Sequence, residues 1–212
     1  MKKFLKSIIA LLIQLWSRIY TYDFSQSISM RVGTIYSYWI SQFLGEVGEN
    51  TEFGRPMSLQ GGGQKRIKVG ANTHIGHHAV LGCWVQYGAN NYEPEIFIGN
   101  NCSIGEYCHI TALNRITIGD GLLTGRFVYI GDNAHGGLSK EEAGIPPIQR
   151  PLNSKGEIKI GRNVWIGDKV SIFGGVTIGN NVIIGAGSIV THNVPSNCMV
   201  AGIPAKIVKQ LD

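Results

Sequence analysis

An aliphatic residue followed by glycine recurs at six-residue spacing through most of the chain, at Val69, Ile75 and Leu81, at Ile98 and Ile104, at Ile118 and Ile130, and at Ile160, Ile166, Ile178 and Ile184. Four residues after most positions of this phase stands a small or β-branched residue, among them Thr73, Ala79, Cys102, Cys108, Val128, Ala134, Val164, Val170, Val176, Val182 and Ser188. Ile110, Thr124, Ile172 and Val190 keep the phase without a following glycine, and Val47 and Phe53 begin it faintly. A period of six fits neither an amphipathic helix nor an alternating hairpin sheet. It fits a short strand and a tight turn, repeated. The aliphatic and the small residue then point inward, and glycine with its polar followers makes a corner where φ > 0 is often needed. Three units close a triangular coil of about 18 residues, and coils stacked at about 4.8 Å pair strand on strand. The pattern predicts a parallel β-helix solenoid.

The first forty-five residues have no such period. "MKKFLKSIIALLIQLWSRIY" places Lys2, Lys3 and Lys6 before an apolar run from Ile8 to Trp16. That run is shorter than the roughly 20 residues that cross a bilayer, and no small-x-small cleavage site follows it. It is a helix sequence, apolar nearly all round, and a second helix is expected from about Ser27 to Leu44 with Gly45 as its stop. These helices either cap the repeat and pack on a neighbouring subunit, or the first lies at a membrane surface through residues 1–20 with lysines near lipid phosphates. The expected organisation is a helical segment over 1–45, the β-helix over 46–200 and a tail or short helix over 201–212.

The repeat breaks once at length, directly after "DNAHGG". Residues 136–157 hold Pro146, Pro147 and Pro151 and no hexad. A loop of this size in a compact domain is usually functional or disordered. His135 follows a position expected to point inward, so its ring is expected outside, at the end of a strand. The loop would then frame a pocket around it.

Composition adds little. The excess of 19 Lys and Arg over 14 Asp and Glu suits anionic ligands. No basic run interleaved with aromatics marks a nucleic-acid site. Cys83, Cys102, Cys108 and Cys198 form neither a CxxC pair nor a disulfide framework, which points to a reducing, cytoplasmic setting. His74, His77, His78, His109 and His192 lack the spacing of a convergent three-histidine site, so no metal is expected.

The hexad resembles the left-handed β-helix of hexapeptide-repeat acyltransferases. The stretch "GRNVWIGDKVSIFGGVTIGNNVIIGAGSIVTHNVPSNCMVAGIPAKIVKQL" is similar to the carboxyl half of their galactoside, maltose and polysaccharide O-acetyltransferase group. The left hand of the coil is implied by this resemblance alone. So is a homotrimer with active sites at its seams, using acetyl-CoA. In the family a loop histidine is the general base, here His135. A base with pKa near neutrality can take the proton of an acceptor hydroxyl as it attacks a thioester. Asp132, Asn133 and Arg150 are candidates to orient it or to meet the acceptor. Trp165 in "VWIG" would pack near the pantetheine end, and the backbone N–H of Asp168 would lie near the thioester oxygen. Ala186 in "GAGS" would let the pantetheine arm approach. Thr191, His192, Lys206 and Lys209 would meet the nucleotide end, with Lys155 ranked below them. The implied activity is O-acetylation of a carbohydrate hydroxyl, in particular of a cell-envelope polysaccharide precursor. Alternatives are transfer to an amino sugar, a serine or an antibiotic, and, from another class, a non-catalytic scaffold.

Overall fold

The computed structural model describes residues 2–137 and 139–210. Three parallel sheets run its length and form the sides of a left-handed β-helical prism. The coils advance through all three in turn. The first is Glu46–Val47, Glu52–Phe53 and Ser58–Gln60; the second is Ile67–Val69, His74–Ile75 and Val80–Cys83. The third is Glu95–Ile98, Ser103–Ile104 and His109–Ala112; the fourth is Arg115–Ile118, Leu123–Thr124 and Tyr129–Gly131. The fifth is Ile158–Ile160, Trp165–Ile166 and Ser171–Phe173; the sixth is Thr177–Ile178, Val182–Ile184 and Ile189–Val190. Registers keep the hexad in phase, with Ile98 beside Ile118 and Ile118 beside Ile160 on the first face.

The inward positions are those the hexad predicts. Ile75, Leu81, Ile98, Ile110, Ile166 and Ile172 are fully buried, as are the small partners Val164, Val170, Val182 and Ser188. Each large aliphatic side chain so covered contributes roughly 1.5–3 kcal/mol. All four cysteines lie in this core. Burial pushes the Cys83 thiol up to about 12 and raises the other three, which makes them poor nucleophiles.

The corner expectation holds for the polar followers and needs correction for the glycine. The repeat glycine does not supply the left-handed residue. That conformation falls two positions later, on Asn72 (φ 54°), Asn101 (φ 55°), Asn163 (φ 56°) and Asn181 (φ 55°), the residue type that best tolerates it after glycine. The glycine is needed because coils touch there. A Cβ would sit 2.1 Å from the Gly125 carbonyl oxygen at Gly105, and 2.6 Å from the Ala186 nitrogen at Gly167. At the corner between the second and third faces the left-handed position is instead taken by His78, Tyr107 and Phe127, whose rings stack at centroid distances of 4.6 and 4.9 Å.

The ends of the prism differ from expectation. Helix α2 runs Tyr22–Ser41, starting before Ser27 because Thr21 caps it, its side chain accepting from the Phe24 N–H at 3.2 Å. Ile40 and Leu44 are buried over the first coil. Ser37 Oγ accepts from the Phe53 N–H at 2.9 Å, and Tyr36 Oη accepts from the Met57 N–H at 3.0 Å. Helix α1, Lys2–Ile19, has no buried residue. At the other end the expected C-terminal helix is a strand. Ala205–Gln210 pairs antiparallel with Cys198–Gly202 and covers the outer edge of the second face. Residues 198–202 continue that face on Val182–Ile184, so a strand there satisfies backbone groups that a helix would leave bare.

Candidate functional site

The loop leaves the third face of the fourth coil as a short hairpin stem. Ala134–His135 pairs antiparallel with Leu152–Asn153, and the Gly136 N–H donates to the Pro151 carbonyl at 2.9 Å. Departing and returning strands are thus zipped at the base, which fixes the backbone at His135. Ala134 is exposed, not inward as the hexad phase predicts, because the chain has already left the prism to form this stem. His135 is exposed as expected.

Between the loop and the third face lies a cleft of about 730 Å³, lined among others by Asn133, His135, Arg150, Lys155, Phe173 and Thr191. Arg150 folds over Gly136 and its Nε donates to the Ile145 carbonyl at 2.8 Å. Gly136 has φ 70°, and a Cβ there would meet the Arg150 Cδ at 2.6 Å.

A second insertion braces the first. Between the second and third coils a hairpin, Gln86–Tyr87 with Asn90–Asn91, projects beside the loop. Tyr87 Oη donates to the Ile148 carbonyl at 2.7 Å and Tyr92 Oη to the Leu152 carbonyl at 3.0 Å. The Tyr87 ring meets the His135 imidazole edge to face. Sequence reasoning misses both tyrosines. The signal for them is the second, shorter gap in the hexad, "WVQYGANNYEP", between Leu81 and Ile98.

The neighbours of His135 resolve into framework. The Asp132 carboxylate is buried, 2% exposed, and bonds to backbone. Oδ1 accepts from the Leu113 N–H at 2.6 Å, and Oδ2 from the Asn114 and Arg115 N–H groups at 2.9 Å each. Burial lifts this carboxyl above its ordinary value while the three N–H groups pull it down. Asn133 Nδ2 donates at 2.9 Å to Thr111 Oγ1, which also accepts from Trp84 Nε1 at 3.1 Å. Asp132 lines the cleft together with His135, while its oxygens are engaged at the corner that joins the third coil to the fourth.

The other expected site residues sit elsewhere on the same chain. Trp165 is exposed on the second face of the fifth coil, in register with Leu123 and Ile183. Register continues from Ile183 to Met199 and from Met199 to Lys209. Lys209 thus lies three strands from Trp165, about 14 Å away at the usual strand spacing, with Lys206 beside Ala201 on the same edge. Asp168 opens the corner beyond Trp165. Its Oδ1 accepts from the Arg126 N–H at 2.8 Å. Ala186, one coil on, has no such oxygen to offer in turn, and among the described residues the Asp168 N–H has no acceptor. Thr191 and His192 bond to each other, Oγ1 to Nδ1 at 2.9 Å. Within one chain Thr191 shares the cleft with His135, whereas Trp165, Asp168 and Ala186 do not line it.

The remaining histidines do not converge. His77 Nδ1 lies 2.7 Å from the Arg55 carbonyl, His74 lies 3.8 Å from Glu52, and His109 is half-buried against Tyr129. Among the described residues no group of three or more His, Cys, Asp or Glu side chains is placed to hold a metal ion.

Comparison with known proteins agrees with this architecture. Residues 157–192 match the family described as bacterial transferase hexapeptide (six repeats). The six-residue repeat itself runs through all six coils, well beyond the matched stretch, and the relatives that follow carry acetyltransferase names. A protein of Escherichia coli K12 named as a lipopolysaccharide biosynthesis O-acetyl transferase, WbbJ, is 38% identical over 119 residues, covering 54% of this chain and 60% of that one. Galactoside O-acetyltransferase of the same organism is 36% identical over 127 residues, covering 58% and 57%. The chain thus spans about three-fifths of the length of these relatives. Among solved structures, the fold matches the N-acyltransferase AntD of Bacillus cereus, in complex with dTDP and 3-hydroxybutyryl-CoA, at a TM-score of 0.64 and 19% identity, covering 82% of this chain and 87% of that one. It also matches the hexapeptide-repeat acetyltransferase VCA0836 of Vibrio cholerae with acetyl coenzyme A, at 0.55 and 20%, covering 91% of each.

Proposed function

We propose that the chain is an acetyl-CoA-dependent O-acetyltransferase acting on a carbohydrate hydroxyl, with a cell-envelope polysaccharide precursor as the acceptor class. His135 removes the proton of the acceptor hydroxyl as its oxygen attacks the thioester carbonyl. The Asp168 N–H donates to the oxyanion of the tetrahedral intermediate. The intermediate collapses with cleavage of the C–S bond, and the CoA thiolate takes the proton back from the imidazolium. The names of the two Escherichia coli relatives support an O-acetyl reaction on carbohydrate.

The observation that carries this reading is the division of the parts. His135 stands beyond the third face of the fourth coil, and the free Asp168 amide beyond the second face of the fifth. A site that uses both therefore spans two copies, and three repeats of one head-to-tail contact close a ring. The donor would lie along the second face, with Trp165 near the thioester and Lys206 and Lys209 toward the phosphates. Thr191 and His192 would meet the donor from the His135 side. Acetyl-CoA supplies this reaction on the cytoplasmic side, with residues 1–20 as a peripheral membrane contact.

The test is thiol release from acetyl-CoA against a panel of sugars, with His135→Ala and Ala186→Trp each nearly inactive. Co-expressed, the two variants should recover up to about a quarter of wild-type activity, because one seam in four pairs an intact His135 with an intact groove. No recovery would place the whole site in one chain. No thiol release by the wild type with any sugar would remove the carbohydrate reading, and absence of CoA binding would leave a scaffold.

A further inference from the structure

Helix α1 touches nothing that would account for its sequence. None of its residues is buried, and Phe4, Leu12, Ile13, Trp16 and Ile19 are each about 60% exposed or more. The stretch Ile8–Trp16 alone is apolar nearly all round, but over the full helix the faces separate. At 100° per residue, Lys2, Lys6, Ser17, Lys3, Gln14, Ser7 and Arg18 fall on one stripe about 160° wide. Leu11, Phe4, Leu15, Ile8, Leu12 and Trp16 follow one another round the opposite side, and Ile13 alone among the large apolar residues intrudes on the stripe.

Every charge on this helix is positive. Three of the four, Lys2, Lys3 and Lys6, crowd its first turns, at the positive end of the helix dipole, where cations are disfavoured. Their placement does nothing for the helix itself. It suits an anionic partner that meets the stripe while the other side is buried in something apolar. No described helix is long and apolar enough to cross a membrane. We infer that α1 lies in the plane of an anionic bilayer, its apolar arc at the acyl boundary and Lys2, Lys3, Lys6 and Arg18 among the headgroup phosphates. This develops the peripheral contact of the proposed function but rests on helix geometry, and its readout involves no catalysis.

The test is flotation of the full-length protein with vesicles of phosphatidylcholine, with and without phosphatidylglycerol. Partitioning should be stronger on anionic vesicles by on the order of 10²–10³-fold. High salt should reduce it without abolishing it, since the apolar part is unscreened. The double variant Leu12→Glu, Trp16→Glu should lose flotation while its melting curve and its acetyl transfer to a soluble acceptor stay as in wild type. The triple variant Lys2→Gln, Lys3→Gln, Lys6→Gln should lose the preference for anionic vesicles. Absence of flotation on either vesicle would overturn the inference, as would flotation of the double variant like wild type. A change in the lipid-free oligomeric size of the double variant would do so too, by assigning α1 to a subunit contact.

Discussion

The Tyr87 ring stands edge-on to the His135 imidazole, with centroids 5.2 Å apart and planes at 71°. The hydroxyl of the same tyrosine holds the far limb of the loop through the Ile148 carbonyl. One side chain thus braces both the proposed base and the wall facing it. Under the proposed mechanism His135→Ala should lower turnover by roughly 10²–10⁴-fold, the usual worth of a positioned base. Tyr87→Phe keeps the ring and drops the loop tie. It should raise KM for the acceptor several-fold with a smaller change in kcat, whereas Tyr87→Ala should lower kcat as well. Steady-state kinetics with acetyl-CoA saturating separates these outcomes; equal kcat and KM in all three tyrosine forms would leave Tyr87 a bystander.

Asp132 lies three residues from His135 and does different work. Replacing it with Ala would strand the Leu113, Asn114 and Arg115 N–H groups, at about 1–3 kcal/mol for each that water cannot reach. Leu113 is itself buried, so at least one penalty applies in full. Thermal unfolding should show a fall in Tm of several degrees. Asp132→Asn keeps an acceptor oxygen and should fall less. Any residual activity of the folded Asn variant should keep the wild-type pH profile, because the carboxylate is tied to the coil and not to the imidazole.

The repeat glycines make a sharper contrast. Gly105→Ala forces a Cβ to within 2.1 Å of the Gly125 carbonyl oxygen. Coils cannot separate there without breaking the Gly105 N–H bond to Thr124 Oγ1 at 2.9 Å. That variant should lose several kcal/mol or fail to fold. Gly33 lies inside α2, and a methyl group added there would meet nothing within 4 Å. Gly33→Ala should gain roughly 0.5–1 kcal/mol by removing helix-interior backbone freedom. Urea unfolding midpoints of the two variants should move in opposite directions.

These cases show which features a sequence announces. Ile166 and Val170 sit inward because a period of six leaves no other consistent phase, so the prism is legible from the hexad alone. Ala134 keeps the same phase and yet lies outside, because periodicity cannot say at which residue a chain abandons its sheet. Asp132 reads as a partner for His135 because the two are close in sequence; its real partners lie 17 to 19 residues back, one coil away. The role of the repeat glycine is ambiguous for a related reason: a close approach between coils and a left-handed turn demand the same residue, and only the observed φ values separate them. The C-terminal "AKIVKQ" has helix-forming ends, and the open edge of the second face overrides that local preference.

His109 gives a pH-dependent prediction. Burial holds its imidazole below the ordinary value, and its Nε2 is buried without a partner. The unfolded chain, where this histidine titrates normally near 6.5, therefore binds the proton first as pH falls. Stability from the neutral ring is fully present above the unfolded value and is lost as pH drops through about 6.5 toward the lower folded one. His109→Phe keeps a ring against Tyr129 and removes the titration. The melting temperature of the wild type should fall relative to this variant between about pH 7 and pH 5, and the difference should level off once the native imidazole also protonates. Every other group is common to the two proteins and cancels in the comparison. Parallel melting curves across that range would mean that His109 is hydrated in solution and that the cost of its burial is not expressed.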